Sequence, residues 1–356
     1  LTTDYEDLPR LGVCTLTLNS GISINYVLNF LLMQEYPREK IFYLVVDGGS
    51  SDNTLEIVHE VFKNNPGLTY EVLVAAGTNI PQARNVCIER LLRTGVDYIL
   101  FVGSDVVVAT TNAFQLITQL AKEKNTLIHF AISFRFFKNI EEFREFFNEL
   151  QLNEINISSE DLIPSLHVGM GFTIIPRELA TSQRFGEDVD FGEDFLYALR
   201  AYSEGYMPYV VRKTLPLYDV NVKGKPGDIY WKTSFKRYLR SARKKALKHL
   251  IGCVEDGSLK FSTRVFLREL VKHSVNAFLL ATLYLAPMLA LIDIKLFLAG
   301  ILVRISSMIG YAVYKKLQGY GLIDGLRNRV KFELYSTLIL LNLPLAYRDF
   351  RKLFHN

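Results

Sequence analysis

From Gly12 to about residue 130 the chain switches repeatedly between short β-branched or aromatic runs and longer helix-like stretches. Few folds accept that rhythm. Parallel strands cannot be joined by tight turns and need a long crossover, usually a helix, so the pattern points to βαβ units and an α/β domain. The spacing predicts strands at Val13 to Leu18, Phe42 to Asp47, Tyr70 to Val74, Tyr98 to Val102 and Thr126 to Phe130. Helices are predicted over Ile24 to Gln34, Thr54 to Asn64, Pro81 to Arg93 and Asn112 to Lys122. Asp52 is placed to cap the second helix, and Pro81 suits a first helical turn. With 49% apolar residues in 356, the chain can fill a substantial core, which excludes global disorder.

Beyond residue 130 the rhythm changes. A charged aromatic helix at Glu141 to Leu150 runs into a polar stretch ending at Pro164, which reads as a lid or insert over the sheet. A strand at Gly171 to Ile175, a helix at Glu193 to Glu204 and a strand near Tyr209 to Leu217 are expected to follow. Asn156-Ile157-Ser158 matches a glycosylation sequon, expected to be inert in a cytoplasmic domain. Cys14, Cys87 and Cys253 are odd in number and widely spaced, and read as buried free thiols in a reducing compartment. No basic segment followed by an apolar one opens the chain, so no cleavable signal is expected.

The net charge of +4 conceals a strong asymmetry. Between Tyr230 and Ile251, Trp231, Phe235, Leu239, Ala242, Ala246 and Leu250 recur at three- and four-residue steps, opposite a face of lysines and arginines. Such a helix lies on an anionic bilayer, and basic helices also bind nucleic acid. The next segments decide for the bilayer. Val275 to Ile292 is nearly free of charge and Leu296 to Tyr314 carries only Arg304, each approaching the roughly 20 residues that span a bilayer core. Phe332 to Tyr347 is a third, shorter candidate, and basic clusters flank the spans. The expected layout is a catalytic domain over 1–225, interfacial helices over 226–270 and a transmembrane domain of two to three helices over 271–356. An integral membrane protein with its catalytic domain in the cytoplasm follows, with no nucleic-acid partner.

The chemistry concentrates where predicted strands end. Val45-Val46-Asp47-Gly48-Gly49-Ser50-Ser51-Asp52-Asn53-Thr54 leaves a strand, turns through glycines and starts a helix. A carboxylate at that edge of a parallel sheet faces the crevice where open α/β folds bind ligands, or else it only shapes the turn. Three more segments stand in order behind it: Asn79 to Asn85 with its Ala83-Arg84-Asn85, Gly103-Ser104-Asp105 after a strand, and Gly192-Glu193-Asp194 opening a helix.

Together these strings resemble family 2 inverting glycosyltransferases of GT-A fold, a Rossmann-like mixed sheet flanked by helices. Their segments run V-D-D-G-S-x-D-x-T, G-x-x-x-A-R-N, D-x-D and G-E-D-x-x-L-x-x-R-x-x-x-x-G-Y. The resemblance covers roughly residues 12 to 219. It implies that Asp47 contacts the nucleobase of a nucleotide-diphosphate sugar, and that Gly49, Arg84 and Ser104 bind the donor. It implies that Asp105 holds Mn2+ or Mg2+ against the diphosphate, and Asp219, at a later strand end, is the candidate second ligand. Asp194, beside Glu193, takes the general-base role, with Glu187 and Asp188 as a competing acidic pair. This chain departs from the family in having Gly48 and Gly103 at two usually acidic positions, which leaves the donor site lean in carboxylates.

The expected activity is inverting transfer of a hexose, from GDP-mannose or UDP-glucose, to a lipid-linked acceptor hydroxyl at the membrane. Similarity to dolichyl- and polyprenyl-phosphate sugar synthases keeps a phosphate acceptor open. The two missing carboxylates keep open a non-catalytic sugar-nucleotide sensor or membrane scaffold. Gly169 and Gly171 are expected to let an acceptor approach the backbone, and His167 reads as a loop histidine or an acceptor contact.

Overall fold

The computed structural model describes residues 7–187, 193–211 and 213–222, with isolated positions and short stretches between 246 and 347. The chain divides into two compact units, residues 1–224 with 256–259, and residues 225–255 with 260–356.

In the first unit, βα alternation builds β1 (Leu11–Thr17), α1 (Ile24–Leu32), β2 (Ile41–Asp47), α2 (Thr54–Lys63), β3 (Thr69–Val74), α3 (Ile80–Arg93) and β4 (Tyr98–Gly103). There follow β5 (Val106–Val108), α4 (Ala113–Lys124), β6 (Ile128–Phe130), β7 (Ser133–Phe137) and α5 (Ile140–Asn148). The unit closes with β8 (Leu162–Pro164), β9 (Phe172–Pro176), α6 (Arg177–Ser182), α7 (Glu193–Ser203), β10 (Tyr209–Val211) and β11 (Leu217–Val222). Among the described residues the main sheet runs β3-β2-β1-β4-β9-β6-β10-β8, and a smaller sheet runs β5-β11-β7. Within the main sheet, β9 is antiparallel to β4 and β6, and β8 to β10.

The strands alternate sides with period two, which splits the core into two layers. Val13, Val45 and Leu100 pack toward α1, α2 and α4, while Cys14, Leu44, Val46, Ile99 and Phe101 pack toward α3, α6 and α7. Parallel strands covered on both faces account for the nearly unbroken apolar runs of β2 and β4.

Several expectations change. The strand expected at Tyr209 to Leu217 is two strands in different sheets, because Pro216 has no N–H to continue a ladder; its carbonyl instead accepts the N–H of Ala109 at 2.8 Å. The cap of α2 is Asn53, one residue later than expected, although Asp52 still accepts the Thr54 N–H at 3.1 Å. Helix α5 is core rather than lid: Phe143 and Phe147 are buried, and the Phe143 ring meets Tyr26 of α1 edge-on at 4.8 Å. The tail of that insert, β8, closes the sheet edge. Cys14 and Cys87 are joined as a disulfide across the β1–α3 interface instead of standing as free thiols, and Cys253 lies outside the described residues.

In the second unit Val254–Glu255 pairs with Lys260–Phe261. Among the described residues no helix is long and apolar enough to cross a membrane. The basic segment, apart from Ala246, most of the first candidate span and parts of the other two lie outside the described residues. Of what is described, Leu302, Ile305, Ile309 and Val313 are helical, exposed and spaced to share one helix face. Arg329 binds Glu333 at 2.9 Å, donates to Ser307 at 3.2 Å and lies over Tyr311.

Two outcomes are expected. Phe143→Ala should cost about 3 kcal/mol by urea denaturation, as for a buried core ring, where a loosely held lid would lose far less. His129 of β6 is buried with Nδ1 2.9 Å from Thr173 Oγ1, and desolvation lowers its pKa to about 4 from 6.5. A depressed histidine keeps its contribution above the unfolded pKa and loses it as pH falls. Wild type should therefore lose about 1.4 kcal/mol per pH unit relative to His129→Gln as pH drops from 6.5 towards 4.

Candidate active site

In-register pairing aligns the ends of three parallel strands: Thr17 of β1 lies opposite Asp47 of β2, and Leu16 opposite Gly103 of β4. The loops that follow must therefore converge at one edge, the edge where such sheets bind ligands. Asp47 ends β2 fully buried, and its Oδ2 accepts the N–H groups of Gly49 at 2.9 Å and Ser50 at 2.8 Å. Its Oδ1 accepts the Ser50 hydroxyl. The turn requires Gly49, whose φ of +94° suits no Cβ and whose Cβ would stand 3.1 Å from Ala76. By contrast, a Cβ at Gly48 would meet only ordinary contacts.

The loop after β1 joins this turn, which the sequence reading missed. Asn19, with φ of +52°, donates its N–H to Ser50 Oγ at 2.8 Å and accepts the Ser51 N–H at 2.8 Å. Ser20 Oγ lies 2.9 Å from Ser104 Oγ, and Ser23 donates to the Ser104 carbonyl at 2.8 Å. The available signal was a polar Asn19-Ser20-Gly21 turn directly after a strand.

Asp105 and Asp219 come together although they are remote in sequence. The Asp105 carbonyl accepts the N–H of Val220 at 2.8 Å, and Asp219 pairs with Val106 across the β5–β11 ladder. Asp105 opens to solvent on one side, while desolvation by the protein on its others pushes its carboxyl above the usual range. Desolvation and then the like charge of Asp105 push Asp219 up to about 7. A Cβ at Gly103 would lie 2.7 Å from Asp105 Oδ1, so the glycine leaves room for the carboxylate as placed. Two repelling carboxylates are hard oxygen donors that a divalent cation would relieve. Among the described residues no group of three His, Cys, Asp or Glu side chains is arranged around a metal position, so oxygens from substrate and water would have to complete a shell.

Arg84 and Glu193 meet in an ion pair of 2.6 Å with side chains only 13% and 10% exposed. The guanidinium also lies over the Phe185 ring, 5.2 Å from its centroid. Beside it, Asn85 accepts the Phe185 N–H at 2.8 Å and donates to Glu187 at 2.9 Å. The Ala83-Arg84-Asn85 string therefore clamps the 183–187 loop and the start of α7 onto α3. Glu193 is held by Arg84, and Glu187 by Asn85. Asp194 is partly exposed, and its Oδ1 accepts the N–H of Phe195 at 2.7 Å. The exposed His167 ring sits 5.7 Å from Phe195. Asp188 and Gly192 lie outside the described residues.

At Gly171 a Cβ would lie 2.6 Å from Ile132, so the glycine makes room for that side chain. A groove of about 770 Å³, lined by Tyr26, Asp52, Asn53, Asn64 and Arg144 among others, opens between α1 and α2 and contains none of the expected site residues.

Removing one partner of the Arg84–Glu193 pair leaves a nearly buried charge alone. Arg84→Met should cost about 3 kcal/mol in urea denaturation, and the double variant Arg84→Met with Glu193→Gln should recover most of it. Equal losses in single and double variants would dismiss the clamp.

Residues 13–180 match the family described as glycosyl transferase family 2. No characterised protein sequence matches significantly. Among solved structures, the mannosyltransferase PcManGT from Pyrobaculum calidifontis, in complex with GDP-Man and Mn2+, superimposes with a TM-score of 0.55 at 17% identity, covering 96% of this chain and 88% of that one. S. aureus TarS 1-349 in complex with UDP-GlcNAc gives a TM-score of 0.51 at 16% identity, covering 96% and 92%. At those identities the likeness concerns the fold, a GT-A-like mixed sheet with flanking helices. With the match of residues 13–180 to glycosyl transferase family 2, it supports a transferase built on that domain.

Proposed function

We propose that this glycosyltransferase moves a hexose with inversion from a nucleotide-diphosphate sugar to a lipid-linked hydroxyl. The observation that carries the reading is the Asp105–Asp219 pair, two mutually repelling carboxylates at the edge where the loops after β1, β2 and β4 converge. They fit a divalent cation, Mn2+ or Mg2+, which when bound offsets diphosphate charge and stabilises the leaving group. The turn held by Asp47 and Gly49, joined to Ser104 through Asn19 and Ser20, receives the nucleoside. GDP-mannose and UDP-glucose are the leading donors.

On this reading Asp194 takes the proton of the attacking hydroxyl as the new bond forms on the face opposite the departing diphosphate. Its partly exposed carboxylate suits that task better than Glu193, already occupied by Arg84. Arg84 then acts by fixing α7 rather than by holding phosphate. The exposed apolar helix face at Leu302, Ile305, Ile309 and Val313, with the basic segment of the sequence, supports membrane attachment.

A donor screen by thermal shift should show a rise in melting temperature for one nucleotide sugar, larger with Mn2+ and lost in Asp219→Asn. Asp194→Asn should lower transfer to a hydroxyl acceptor by roughly 10²–10⁴-fold while leaving the donor-induced shift intact. Full activity in that variant would remove the base assignment and favour a phosphate acceptor. Donor binding without turnover for any acceptor would favour a sensor.

A further inference from the structure

β7 is an outer strand of the small sheet and carries two large rings in the open. Phe134 is 68% and Phe136 45% exposed, with centroids 6.5 Å apart and planes only 9° from parallel. Paired positions and every second residue share a sheet face. Phe134 is in register with Asp219, and Asp219 with Val106, so both rings stand on the face that carries the Asp219 carboxylate. Ile132 continues the row inwards to Gly171. On the opposite face, Phe137 packs on Phe143 at 5.3 Å, and Arg135 covers Phe146 at 5.3 Å. That face is core.

Ile132 packs partly on the core, whereas the Phe134 and Phe136 rings belong to neither core layer of the described unit. Exposed aromatic rings on an edge strand also invite unwanted pairing unless something covers them. Ile132, Phe134 and Phe136 offer no hydrogen-bonding group, whereas a sugar ring needs directional partners for its hydroxyls. A linear apolar row that begins beside a charged reaction centre suits a chain whose polar end is at the centre and whose remainder is hydrocarbon.

We propose that Ile132, Phe134 and Phe136 form the hydrocarbon subsite of the acceptor, along which the first carbons of a lipid chain lie while its hydroxyl reaches the Asp105–Asp219 edge. This deepens the reading above and rests on its lipid-linked acceptor.

The test uses the full chain with methyl, octyl and dodecyl glucoside below their micellar concentrations, measuring both binding and sugar transfer from the donor. For wild type, affinity should rise with chain length. The double variant Phe134→Ser with Phe136→Ser should flatten that rise, with roughly tenfold loss for dodecyl glucoside and none for methyl glucoside. Phe134→Leu with Phe136→Leu keeps apolar surface and should restore it, which separates hydrocarbon burial from ring stacking and from misfolding. A rise that is absent in wild type or persists in the serine variant overturns the subsite. An equal loss for methyl glucoside overturns it too, because the rings would then contact the sugar. If the affinity pattern holds but no sugar is transferred to any glucoside, the subsite stands and the transfer to a lipid-linked hydroxyl falls.

Discussion

The site depends on the register of β1 with its neighbours. Because Thr17 lies opposite Asp47 and Leu16 opposite Gly103, three strands end at one level, and the polar backbone groups of their loops must be satisfied in a small space. Bonds from Asn19 to Ser50 and between Ser20 and Ser104 cross from one loop to another, while Asp47 closes its own turn. A slip of one residue in β2 would turn Asp47 towards the other face and separate the loops. The two apolar layers hold the register, since each strand buries alternate residues on both sides.

Onto that edge the small sheet delivers a second charged element. The chain leaves the main sheet after Val211 and pairs again as β11, whose antiparallel ladder with β5 brings Asp219 beside Asp105. Burial first, and then the like charge of Asp105, push the Asp219 carboxyl up to about 7. The family's usual acid at position 103 is a glycine here, and a Cβ added there would stand 2.7 Å from the Asp105 carboxylate as placed. One acid before Asp105 is missing, and one from a distant strand stands near it.

The acidic segments show where linear reasoning stops. Glu187, Glu193 and Asp194 are similar in chemistry and close in sequence, and nothing local separates a structural carboxylate from a reactive one. Asn85 binds Glu187 and Arg84 binds Glu193, and both partners come from α3, remote in sequence. The insert after β7, expected as a lid or insert over the sheet, shows the same limit. Its aromatic residues suit a mobile cover as well as a core, and only the Tyr26 and Phe30 side chains of α1 decide for the core.

The sequence by itself determined the βαβ order, the strand ends that carry Asp47 and Asp105, and the glycosyltransferase strings, because period, turn chemistry and motif spacing are local properties of the chain. Tertiary structure decided the small sheet β5-β11-β7, the pairing of Asp105 with Asp219, the Arg84–Glu193 clamp and the exposed row of Phe134 and Phe136. Each of these depends on residues brought together across long loops. Short strands such as β5 and β7 carry too few residues to declare a period, so only the ladder they join shows which way their side chains face.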